Sequence, residues 1–341
     1  MRYAFAAVLL AAALLGTRTE AAQAVDVLRS VGGLPPHIVG LFEEPLGFQQ
    51  SADGRYYVFD RRGHSVYAID TDRKAAHKLI EIGEEFGRII QPRGFDTSPT
   101  GSFVVADAPR GVDRVQLFGA GGARIGGFAL PARRRTAALT VGPLVISGIA
   151  FIQYAGTNLL ISHPESGALF TEYSRSGFPI RSIGRLRETG HEQDRDLHLA
   201  QNVGLPVVDP MGGFYYVFVG GRPMFRKYAS NGGLLFERHV EGIELDDYLT
   251  SLPTTWPTRS VADRELPLVP PAVRAAAVDP MGRLWISLSQ GYTYVYDANG
   301  DKVRTVRFSA GGPVTPTSLF FTPSGRLLVT PGCYEFNPTV R

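Results

Sequence analysis

A short phrase recurs along this chain and limits what it can fold into: a small residue, a few mostly apolar residues, a tight turn with Gly, then an aromatic or β-branched run. It reads as Gly47 to Asp53-Gly54 before Tyr56-Tyr57-Val58-Phe59, and as Gly94 to Thr100-Gly101 before Phe103-Val104-Val105. It returns as Gly204 to Met211-Gly212 before Phe214-Tyr215-Tyr216-Val217, as Ala275 to Met281-Gly282 before Leu284-Trp285-Ile286, and as Ser318 to Ser324-Gly325 before Leu327-Leu328-Val329. A looser copy runs from Gly148 through Gly156 to Leu159-Leu160-Ile161. Repeats with such periods stack one supersecondary unit, and this unit is all-β.

Each phrase is followed by a third strand, a Gly/Asn/Asp turn and a returning strand. Val66 to Ile69 lead through Asp70-Thr71-Asp72 to Lys78 to Ile82, and Met224 to Tyr228 lead through Ser230-Asn231-Gly232-Gly233 to Leu234 to Arg238. Gly, Asn and Asp are what such turns need, because their central positions take positive φ. Four antiparallel strands per unit, apolar inside and more polar outside, predict an all-β propeller of six four-stranded antiparallel blades. The small residues at positions 47, 94, 148, 204, 275 and 318 then mark the crowded starts of the innermost strands. The last unit has no fourth strand after Cys333-Tyr334-Glu335-Phe336, while Val25 to Val31 has nothing else to pair with. The expectation is a ring closed by the N-terminal strand, which removes free sheet edges.

The blade phrase resembles the NHL repeat. The residues that carry the resemblance are Pro45-Leu46-Gly47 with Asp53-Gly54-Arg55-Tyr56-Tyr57-Val58-Phe59-Asp60, and Pro92-Arg93-Gly94 with Gly101-Ser102-Phe103-Val104-Val105-Ala106-Asp107. The Asp that ends the second strand becomes His163, Val219, Ser289 or Pro331 in later units. The resemblance implies a six-bladed propeller. It leaves activity open, since such proteins include scaffolding and ligand-binding modules as well as lactonase- and lyase-type enzymes.

Arg2, the apolar run Ala4 to Leu15 and Ala22-Gln23-Ala24 read as a secretory signal peptide over residues 1–24. Its apolar stretch is short for a membrane span, and no later segment is apolar enough to make one. The expected product is a secreted or periplasmic single domain over residues 25–341. Removing Arg2, Arg18 and Glu20 takes Lys+Arg from 35 to 33 and Asp+Glu from 32 to 31, so the net charge falls from +3 to +2. That balance implies neither nucleic acid nor an anionic membrane as partner. Cys333 is the single cysteine, so no internal disulfide can form; a buried, inert thiol near the last strand is expected.

Two stretches break the blade pattern: the charged segment 185–201 and the Pro-rich segment 241–271, in which Ile243 to Leu249 suits one or two helical turns. Both connect the last strand of one unit to the first of the next, so both fall on one face. Long loops on a rigid scaffold are where binding residues concentrate. Candidate ligand-binding residues at the channel mouth on that face are Glu44, Asp60, Arg93, Asp107, Ser147, His163, Asn202, Arg274 and Thr317. Arg93 and Arg274 suit a carboxylate or phosphate, which a guanidinium grips in bidentate fashion. Asp60 and Asp107 equally suit caps for the turn that follows a strand. The cluster His191-Glu192-Gln193-Asp194-Arg195-Asp196-Leu197-His198 is rich in metal-ligand types but lacks a metal-site spacing. Arg133-Arg134-Arg135 is a solvated basic run or a contact for an anionic surface. Trp256 makes either an aromatic contact over the channel or the loop's own small core.

These residues predict a non-enzymatic module that binds a small anionic ligand or a protein segment without a cofactor. One alternative is a metal-dependent hydrolase, lactonase or lyase in which a divalent ion is held by Glu44, Asn202 and a further carboxylate; lactonase-type propellers, through the resemblance, imply such a site. Another is a structural partner in an envelope assembly.

Overall fold

The computed structural model describes residues 24–131, 139–141, 144–146, 148–261 and 264–339. The expected leader, apart from Ala24, lies outside the described residues, as do Arg133-Arg134-Arg135 and the candidate Ser147. Among the described residues no helix is long and apolar enough to cross a membrane.

The recurrent phrase becomes recurrent sheet. Four antiparallel sheets of four strands each follow one another along the chain. The first is Pro45–Gln50, Tyr56–Asp60, Ser65–Ile69 and Ala76–Lys78; the second is Gly94–Thr97, Phe103–Asp107, Arg114–Phe118 and Arg124–Ala129. The third is Phe151–Ala155, Asn158–Ser162, Ala168–Tyr173 and Pro179–Arg185; the fourth is Gly204–Val208, Phe214–Phe218, Met224–Tyr228 and Leu234–His239. A fifth set, Val273–Val278, Leu284–Leu288, Thr293–Tyr296 and Lys302–Ser309, repeats the order, and Ser318–Phe321, Leu327–Thr330 and Tyr334–Phe336 begin another.

The strand Val25–Gly33 joins these last two sets. Its Ser30, Gly32 and Gly33 pair antiparallel with Phe336, Glu335 and Tyr334, which supplies the missing fourth strand. Its first five residues pair parallel with Thr305 to Ser309 of the preceding set. The expected N-terminal closure is present, with a second contact that the sequence reading did not include. The first strands of successive sets touch in a closed circuit, from Pro45–Gln50 round through Ser318–Phe321 and back. This is a β-propeller.

The small residues are explained by this crowding. A Cβ on Gly94 would come within 2.7 Å of Ile152 in the next sheet, and one on Gly204 within 2.4 Å of the Tyr216 ring. Only a hydrogen fits at either place. The third unit departs from the expected column. Gly148 precedes the strand, at φ +85°, and its missing Cβ makes room for the Asp113 carboxylate. The residue that pairs with Ser162, as Gly94 pairs with Ala106, is Phe151. The returning strand of the first sheet also differs: it is Ala76–Lys78 and not Lys78 to Ile82. Its partner strand ends at Ser65, whose hydroxyl bonds the Ile80 carbonyl, so no ladder remains for residues beyond.

The core lies between sheets. Second strands such as Phe103–Asp107 and Phe214–Phe218 are buried throughout. Phe103 packs its ring on Tyr57 of the neighbouring sheet at 5.9 Å and on Phe118 of its own at 5.1 Å. Truncating such a ring to Ala costs about 3–5 kcal/mol, which makes these seams the main source of stability. Cys333 is buried, as expected, and burial pushes its thiol up to about 12.

Three connections on one face build something the sequence reading missed. Leu139–Val141 and Leu144–Ile146 form a hairpin, and Thr258–Val261 and Arg264–Val269 form another. Thr140 and Val141 pair in parallel with Leu268 and Val269, giving a small separate four-stranded sheet. The helix Arg195–Gln201 packs on it, with Leu197, Leu199 and Ala200 buried against Val141, Ile146 and Val269. The expected helical turns are Ile243–Leu245 and Asp246–Thr250.

Candidate functional site

A cavity of about 370 Å³ occupies the channel where the inner strands meet. Every inner strand contributes to its wall: Gln49, Asp96, Gln153, Pro206, Ala276 and Phe320 come from six of them in turn. Val141 and Ile146 of the small sheet also line it, so the extra sheet is a cap on the channel. The wall is mostly apolar, with Phe59, Phe95 and Phe151 among the aromatic contributors.

Four of the expected residues line this cavity: Glu44, Arg93, Arg274 and Thr317. Glu44 is tied to Arg61, whose Nε donates to Glu44 Oε2 at 2.9 Å while Nη2 donates to Oε1. Arg93 donates to Asp113 at 3.2 Å. Burial works against the charge on both partners, lowering the Arg93 pKa and raising that of Asp113, and their attraction opposes it. The Thr317 hydroxyl shares a hydrogen bond with Thr330 Oγ1 at 3.0 Å. Arg274 sits at a bulge between Val273 and Ala275, exposed, with no hydrogen bond or ion pair to any described residue. A bulge re-aims a side chain out of the ladder's alternation, which is how an inner strand presents a guanidinium to the channel.

Four others do not line the cavity, and three of them, Asp60, Asp107 and Asn202, are committed to local structure. Asp60 caps its turn, accepting from the backbone N–H of Glu43 at 2.9 Å, Glu44 at 2.8 Å and Gly63 at 3.1 Å. Asp107 holds Arg114 in a buried bidentate pair, with Nε to Oδ1 at 2.8 Å and Nη2 to Oδ2 at 2.6 Å. His163 is buried with its Nε2 3.6 Å from Glu165. Asn202 ends the helix Arg195–Gln201 and is spent on backbone: its Oδ1 accepts from Arg187 N at 2.7 Å and its Nδ2 donates to His198 O at 2.9 Å. The expected convergence of Glu44, Asn202 and a further carboxylate is therefore not formed. Among the described residues, no three His, Cys, Asp or Glu side chains gather closely enough to hold a metal ion.

The charged loop is likewise occupied by its own fold. Glu192 accepts from Thr189 N at 2.7 Å, Asp194 caps the helix through Leu197 N at 3.1 Å, and Asp196 pairs with Arg264 at 2.7 Å. Trp256 belongs to the core under the cap rather than to the cavity, and its Nε1 donates to His191 Nε2 at 3.2 Å.

Sequence reasoning missed a set of side chains in the channel wall. Gln49 Oε1 accepts from Thr97 N of the next sheet at 2.7 Å, and Gln49 Nε2 donates to Asp96 at 2.9 Å. Asp96 in turn accepts from Tyr154 N at 2.7 Å, and Gln153 Oε1 accepts from Val208 N at 2.9 Å. Burial raises the Asp96 carboxyl to about 7, against the three hydrogen bonds that favour its charge. Polar residues on strands that should line an axis were the available signal; which sheet they bond is not written locally.

No protein-family model matches this chain, and no curated protein matches it. The NHL resemblance of the blade phrase thus has no family model behind it. Solved structures similar to this chain include a streptogramin B lyase, 10% identical, covering 86% of this chain and 92% of that one with a TM-score of 0.49. Virginiamycin B lyase from Staphylococcus aureus is 9% identical, covering 87% and 85%, also at 0.49. The WD40 β-propeller domain of Doa1 is 7% identical, covering 91% and 95%, again at 0.49. Likeness at these levels carries no activity across; the propeller assignment rests on this chain's own circuit of sheets.

Proposed function

We propose that this protein is a secreted or periplasmic binding module, a single six-bladed propeller of the NHL-like kind, that takes up a small organic anion in its capped channel without a cofactor. The observation that carries the reading is Arg274: a guanidinium with no partner among the described residues, in the wall of a largely apolar cavity. A carboxylate can pair with such an unengaged guanidinium in bidentate fashion, while the apolar wall beside it takes the body of the ligand. The volume falls within the roughly 300–1,000 Å³ of small-molecule sites, and an apolar wall with few polar groups is their usual make-up. The hydrolase reading has less support, since its ligand set is dispersed and Asn202 is committed to backbone.

Calorimetric titration with benzoate and with benzamide tests this. The carboxylate should bind and the amide should not, and Arg274→Gln should weaken carboxylate binding at least about tenfold, the equivalent of 1.4 kcal/mol. Equal binding by wild type and variant would overturn it.

A further inference from the structure

The charges around the channel do more than attract an anion; they count it. Arg61 is neutralised by the Glu44 carboxylate in a two-pronged contact. Arg93 is neutralised by Asp113. Of the described charged residues that line the cavity, this leaves Asp96 and one cation with no counter-ion of its own, Arg274. Asp96 already receives hydrogen bonds from Gln49 and Tyr154 and adds no positive charge in any protonation state.

We propose that the channel selects organic anions bearing a single negative charge on an apolar body and rejects dianions of the same size, with Glu44 as the residue that sets this limit; the proposal rests on the reading of the channel as an anion site. Glu44 acts twice. It cancels Arg61, so a second anionic group finds no free cation, and its own carboxylate repels that group. Like charges brought together repel, and specificity against a near-isosteric competitor is commonly built from such a repulsive element. The Phe59, Phe95 and Phe151 side of the wall accommodates the apolar body.

The test uses two probes of equal size, 3-carbamoylbenzoate with one charge and isophthalate with two, titrated into the full-length mature chain at pH 6. Wild type should bind the monoanion at least about tenfold more tightly. Glu44→Gln frees Arg61 and should narrow or invert that preference, mainly by tightening isophthalate. The double variant Glu44→Gln with Arg61→Gln restores the charge count but not the Glu44 repulsion, and should recover a preference for the monoanion intermediate between the single variant and wild type. This arm decides the matter even where the single variant is destabilised. If wild type binds both probes equally, or if the preference is the same in all three proteins, the charge-counting proposal is overturned while the anion site stands. If wild type binds neither probe, the anion reading of the channel fails, and this proposal with it.

Discussion

The two halves of the propeller hold their seams by different means. Between the first four sheets, an inner-strand side chain reaches across each seam: Gln49 to Thr97, Asp96 to Tyr154 and Gln153 to Val208. Across the rest of the ring, the inner strands present Pro206, Ala276 and Phe320 to the same cavity, and none of these has a polar side-chain atom. At the inner strands those seams rest on packing, as where Tyr215, Phe225, Tyr294 and Tyr296 share one cluster between the fourth and fifth sets; their polar contacts lie farther from the axis, as where Arg73 of the first sheet donates to Gly33 O at 3.0 Å and to Glu335 at 2.7 Å. One repeat phrase thus tolerates either solution. Packing suffices to close a seam, whereas a hydrogen bond to a neighbour's backbone also fixes the register between sheets, because a buried N–H left unpaired is penalised.

The largest expected difference is in pH dependence. Burial pushes the Asp96 carboxyl up from its ordinary value of 3.8 to about 7. A carboxyl with a raised folded-state pKa helps the fold fully below about pH 4, and that help is lost as pH climbs toward about 7, by at most about 4 kcal/mol. Urea midpoints measured from pH 4 to 8 should fall through this window, and Asp96→Asn should flatten the profile. A wild-type profile that is already flat would remove Asp96 from the account of this half. Next in size is Gln153→Ala, which orphans the Val208 N–H and should cost about 1–2 kcal/mol in urea unfolding; no measurable loss would show that water or a shift of strand replaces the bond. The smallest effect is expected from Phe320→Leu on the apolar side. It should cost about 1 kcal/mol, the loss of part of a half-buried ring's contacts, and leave the pH profile unchanged. A changed profile would mean that the halves are coupled.

The fold was legible because turn chemistry and strand apolarity are local. Gly101 at φ +80° before Phe103–Asp107 is readable without knowing what packs on it. Where a small residue served another purpose, the reading slipped. Gly148 clears space for Asp113, so the third inner strand begins later than the column suggested. The cap escaped notice although Leu139-Thr140-Val141 and Leu144-Val145-Ile146 flank a Gly-Pro pair, a hairpin signal. Its pairing with residues 268–269 is non-local and cannot be seen in either segment. In the site, Glu44, Arg93, Arg274 and Thr317 were placed on the cavity by position along the strand alone. Asp60, Asp107 and Asn202 share the same chemistry, but their neighbours' backbone claims it. Type and position are written in the chain, whereas prior commitment to a cap or an ion pair is not.

The double pairing of Val25–Gly33 has a consequence for biogenesis. Ser30 and Glu335 meet across a sequence separation of 305 residues, so the segment a ribosome delivers early has no partner until the final stretch has emerged. Until residues 334–336 have been made, Ser30, Gly32 and Gly33 lack their antiparallel partner and the ring stays unsealed. Closing so long a loop is an entropic burden that slows the last step. A chain released short of Tyr334 lacks the strand that pairs with Ser30 to Gly33 and so has no way to complete that step.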